Sequence, residues 1–180
     1  AAIEITNAGF SNVTVNAGRL VGAHNTYSGI WINRGESNEA PYPGLVPSSA
    51  TIVNNGDIQG SAFGIDITSL CGANCTSRET TILAISGTGR VFGNTGMRLS
   101  ASTMNVDGLG LILGWDTGLS ITASNVSLGP STRLGQVMAG TGSGIVLNAP
   151  LTYSLRLSNV SAGGASGAAV VVAGASGGTT

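Results

Sequence analysis

Eight carboxylates are the residues of this chain best placed to do chemistry: Glu4, Glu36, Glu39, Asp57, Asp66, Glu79, Asp107 and Asp116. Hydrolysis of a glycosidic bond needs two carboxyl groups about 5–9.5 Å apart. A lyase built around a hard cation such as calcium needs several acids gathered together. Asp57 and Asp66 share one stretch, TIVNNGDIQGSAFGIDI (51–67), but its turns put them on different faces. Glu36 and Glu39 lie in a Pro-rich loop, so no face is expected to stack acid on acid.

The other reactive residues are sparse. Cys71 and Cys75 stand as C-x3-C in the loop SLCGANCTSR. A zinc site would need two more ligands, and the single histidine, His24, is far away in sequence. A local disulfide closing a small loop is the favoured expectation, which would place the chain in the periplasm or outside the cell. Two free thiols in a loop are the alternative. Gly174-Ala-Ser176-Gly-Gly178 matches G-x-S-x-G by letters, but no strand, elbow and helix surround it. The expectation is therefore no catalytic residue, no metal ligands, no cofactor and no enzymatic activity.

Elements that could position these residues follow from composition. The chain has 180 residues, which suggests one domain, 1–180. Charged residues are only 8 %, hydrophobic ones 42 %, and Gly supplies 29 positions. Without a Gly-X-Y period, so much Gly beside so much Ala, Val, Ile and Leu must punctuate short strands. A net charge of −1 leaves no electrostatic footprint for nucleic acid or an anionic membrane surface. The longest apolar run, GAAVVVAG (167–174), is far shorter than the ~20 residues of a membrane-spanning helix. The start, Ala1-Ala2-Ile3-Glu4-Ile5, reads as processed or trimmed.

The stretch 51–67 repeats. VTVNAGRLVG is followed by GIWI, ATIVNNGDIQG by GIDI, and TTILAISGTGRVFG by GMRL. The pattern continues loosely as GLGLIL (108–113), GIVL (144–147) and GAAVVV (167–172). A period of 20–50 residues points to a solenoid, propeller or array. Strands of three to five residues with period-two alternation are too short for propeller blades, and no window shows a helical period. The expected fold is all-β: a right-handed, single-stranded parallel β-helix of about six coils. Inserted loops are expected at 33–49 and 69–79, and the turn glycines are expected to supply positive φ.

Two outward columns follow from the frame. One is Trp31, Asp66 and Arg98; the other is Arg19, Asp57 and Arg90. They are expected to be solvated structural ladders, with opposite charges pairing between neighbouring coils. Loops on a rigid scaffold commonly carry binding. The candidate partner-binding residues are therefore Trp31 and, in the 33–49 loop, Arg34, Glu36, Glu39 and Tyr42.

The run Asn-x-Gly-x-Ile/Leu/Val-x-Gly followed by Gly-Ile-x-Ile, as in NAGRLVG…GIWI and NNGDIQG…GIDI, resembles the passenger domains of bacterial type V autotransporters, the pertactin-like group. A closely spaced cysteine pair such as Cys71 and Cys75 occurs in some of these. The likeness covers roughly residues 3–172. It implies a secreted rod displayed at the outer membrane of a Gram-negative bacterium, serving adhesion, binding of host molecules or immune evasion. Its partner would be a host protein or glycan, or another copy of itself, with no nucleic acid. The chain departs from the family by lacking a C-terminal membrane β-barrel, through which alone membrane attachment would run, and so is expected to be part of a longer passenger. It also lacks an RGD tripeptide, Asn33-Arg34-Gly35-Glu36 being the nearest. The family carries over no catalytic residue. The competing expectations are a polysaccharide-processing β-helix enzyme (lyase or glycoside hydrolase) and a purely structural stalk.

Overall fold

Period-two alternation becomes strand wherever the chain is described, and no helix occurs among the described residues. The structure is a computed structural model that describes residues 1–6, 10–22, 27–33, 49–68, 82–101, 103–123, 125–130, 134–148, 154–158 and 160–173. The 33–49 and 69–79 insertions fall almost wholly outside these residues, as do both cysteines and His24.

The strands are β1 (Ile3–Thr6), β2 (Phe10–Val15), β3 (Arg19–Gly22) and β4 (Ser28–Asn33). Next come β5 (Ser49–Asn54), β6 (Asp57–Gly60), β7 (Phe63–Thr68) and β8 (Ile82–Ser86). Two long strands, β9 (Arg90–Ser100) and β11 (Leu111–Thr122), flank β10 (Thr103–Val106). The chain continues with β12 (Asn125–Leu128), β13 (Leu134–Ala139), β14 (Ile145–Asn148), β15 (Ser154–Leu157), β16 (Val160–Gly164) and β17 (Val170–Ala173).

They form two sheets, one of eleven strands and one of six. Every pairing among the described residues is parallel. The register runs in three series. The first passes through β1, β4, β7, the C-terminal part of β9 and of β11, β14 and β17. The second passes through β3, β6, the N-terminal part of β9 and of β11, β13 and β16. The third is the six-stranded sheet, β2, β5, β8, β10, β12 and β15. The first two count as one sheet because β9 and β11 run through both.

One face of each series is apolar and inward. Ile30, Ile65, Met97, Leu119 and Ile145 align in register, as do Ile52, Ile85, Val106 and Leu128, and all are buried. Each such side chain contributes about 1.5–3 kcal/mol on leaving water. At one corner the polar Asn54 is also buried; its Oδ1 accepts from the Gly56 amide at 3.1 Å and its Nδ2 donates to the Arg90 carbonyl at 3.2 Å. Those two bonds offset the cost of burying an amide.

One detail of the repeat differs from expectation. GLGLIL is not in the Gly-led frame: Leu111 pairs with Arg90, in the second series, and Gly118, just before Leu119 opposite Met97, takes the place of Gly96. As expected, glycines in turns between strands supply positive φ, while the Gly-led positions do not. Positive φ occurs at Gly18, Gly87, Gly108 and Gly129.

Candidate functional site

The first outward column reads Glu4, Trp31, Asp66, Arg98, Ser120 and Val146 in register. Arg98 donates from Nε to Asp66 Oδ1 at 2.8 Å and from Nη2 to Oδ2 at 2.7 Å. Its guanidinium carbon lies 3.9 Å from the centre of the Phe63 ring. One planar group thus forks onto a carboxylate and covers an aromatic face, which a lysine could not do. The Asp66 side chain is only 5 % exposed and that of Arg98 is 44 % exposed. Here the expected solvated ladder needs correcting: the acid is buried, and the arginine and ring beside it leave water little access.

The second column reads Arg19, Asp57, Arg90, Leu111 and Gln136. Arg90 donates from Nε and Nη2 to the two Asp57 oxygens at 2.8 and 2.6 Å, and lies 5.6 Å from the Phe92 ring centre. Arg19 donates to Gln59 Oε1. The Arg90 hydrogen bond holds Asp57 below its ordinary value of 3.8, the charges of Arg90 and Arg19 adding to it against partial desolvation. The same pair raises Arg90. The sign for stability follows. A carboxylate lowered in the folded state stabilises above its unfolded value and loses that contribution as pH falls through the folded one. Wild type should therefore lose stability below about pH 3.8 more steeply than Asp57→Asn. Urea midpoints measured across that window check this, and parallel curves would refute it. The effect is small, because the pair is solvent-screened.

A groove of about 520 Å³ opens where the second series turns into the first. Its lining includes Gly60, Gly93 and Gly114, the last two paired in register. Its walls include Gln59, Phe92, Asn94, Leu113 and Trp115. Trp115 is 69 % exposed. None of its ten lining residues carries a formal charge.

Of the candidate binding residues, Trp31 sits beside Asp66 in the first column, partly buried. Arg34, Glu36, Glu39 and Tyr42 lie outside the described residues, as do Cys71 and Cys75. The ends of both insertions are nevertheless placed. Asn33 pairs with Thr68 where the chain leaves, and Ser49 pairs with Ile82 where it returns. Both insertions therefore depart two residues beyond Trp31 and Asp66. Asp57 and Asp66 stand in different series, each held by an arginine of β9. Among the described residues no three His, Cys, Asp or Glu side chains gather. The groove is absent from the sequence-based expectation; the signal that could have marked it is Trp115, an aromatic in a chain with few. No family model, curated protein or solved structure matches the chain.

Proposed function

We propose that the three series are the three sides of a right-handed parallel β-helix of about six coils, preceded by β1. Right-handed crossovers between parallel strands are the general rule. The uninterrupted parallel register of each series supports the winding. The chain then acts as a non-enzymatic binding module of the autotransporter-passenger type, exposed at a bacterial surface or secreted. Its partner is a host protein or glycan, or a second copy.

The observation that carries this reading is how the rod spends its outward side chains. Asp57 and Asp66 are each engaged on both oxygens by arginine, so neither is poised to exchange a proton with a substrate. Beside them lies an uncharged groove with an exposed indole, which suits recognition. The test is a retention screen: folded protein, immobilised, against matrix proteins, serum proteins and a polysaccharide panel. Saturable retention without chemical change is expected. Shortening of a retained polysaccharide would replace the reading with an enzyme, and no retention of any class would leave a structural stalk.

A further inference from the structure

We propose that the groove at Trp115 is a binding site for a neutral oligosaccharide. This deepens the binding-module reading and rests on it. A sugar ring offers an apolar C–H face and a rim of hydroxyls. Its site needs a flat apolar surface for the face and planar amides for hydroxyl pairs. Trp115 supplies an exposed indole, and Phe92 and Leu113 extend the apolar wall. Gln59 and Asn94 stand at the same groove, and the bond from Arg19 fixes the Gln59 amide.

Charge selects among ligands. No lining residue is ionised; of the two neighbouring guanidiniums, that of Arg90 is engaged by Asp57 on two nitrogens and that of Arg19 is turned to the Gln59 amide oxygen. An uncharged trough fits an uncharged ligand. Size and hydrogen bonding argue against a protein occupant. About 520 Å³ falls in the small-ligand range. Ten lining residues are fewer than the roughly 20–30 a side of a stable protein interface. An extended peptide could not add as a strand either. β6, β9, β11 and β13 are already paired with one another in sequence across the groove, leaving no open edge there.

The chain has two tryptophans, Trp31 and Trp115, so Trp31→Phe leaves Trp115 as the sole indole reporter. That variant would be titrated with α- and β-linked gluco-oligosaccharides and with N-acetylglucosamine oligomers, following emission. A saturable shift with at least one of them is expected. In an otherwise wild-type chain, read by calorimetry, Trp115→Ala should weaken binding by about tenfold or more, as loss of an aromatic stacking platform does. Asn94→Ala should weaken it less, and Asn105→Ala, on the six-stranded sheet, should leave it unchanged. Trp115 and Asn94 are exposed, so circular dichroism and the urea midpoint should not move. Sugar binding indifferent to Trp115→Ala would overturn the proposal. So would retention of a protein partner, or self-association, with no sugar bound; the binding-module reading would survive that result. No ligand of any class would overturn both.

Discussion

Gly64→Ala is expected to destabilise the protein by more than about 4 kcal/mol or to prevent folding, the range reserved for severe overpacking. A Cβ at Gly64 would stand 2.4 Å from Val91 Cγ1, 2.6 Å from the Gly96 carbonyl oxygen and 2.7 Å from that of Phe92. Those three atoms belong to the next strand of the first two series. Val91 is fully buried, so its methyl has nowhere to go. The two carbonyls are backbone and can retreat only by opening the spacing between paired strands. The same contact recurs along the first series. A Cβ on Gly29 would meet the Gly64 oxygen, on Gly96 the Gly118 oxygen, and on Gly118 the Gly144 oxygen, each within 2.7 Å. The control is Gly163→Ala. There the nearest atoms are the flexible end of Met138 at 3.4 Å, so the change should stay within about 0.5 kcal/mol. Urea denaturation of both variants checks the pair. Equal, small losses would show that the strands can separate to admit a methyl.

That contact explains how far the sequence could be read. Ile-x-Ile after a glycine was legible because the glycine recurs at one place in each repeat and the outward residue always falls two places on. Trp31, Asp66 and Arg98 were aligned on that basis alone, and the register bears the alignment out. The reason for the glycine was not legible. Positive φ and close approach leave the same letter in the sequence, and only the neighbouring strand decides between them. The later frame slipped at GLGLIL because Gly110 occupies the place of Gly89, just before the second series, and so mimics the Gly-led position that Gly118 actually fills. Trp115 sits where the second series turns into the first, so its neighbours Phe92, from the strand before, and Gly140, from just after the strand following, are set by the stacking and by nothing nearby in the chain. The burial of Asp66 was hidden likewise: its column position was readable, while the Phe63–Arg98 cover depends on how two side chains fold over it.

Arg98→Ala should cost about 2–4 kcal/mol, somewhat under the usual loss for a broken buried pair because Arg98 itself is half in water. The loss comes from what is left behind. Asp66, 5 % exposed, would be left with neither of its two arginine hydrogen bonds, and Phe63 would lose the group stacked on it. The reverse substitution leaves a different residue alone. After Asp66→Ala, Arg98 can swing its guanidinium into solvent, so the loss should be nearer about 1–2 kcal/mol. Arg98→Lys should recover part of the arginine loss by charge, though not the fork or the stacking. The double change Asp66→Ala/Arg98→Ala should cost less than the two single losses added, because no buried charge remains uncompensated. Denaturant midpoints for the four variants close the cycle. Equal losses for Arg98→Ala and Asp66→Ala would mean that the carboxylate finds water once its partner is gone. The column would then be the solvated ladder that its alternating charges suggest. An unequal pair would make it a buried anchor two residues before Thr68, from which the second insertion leaves the sheet.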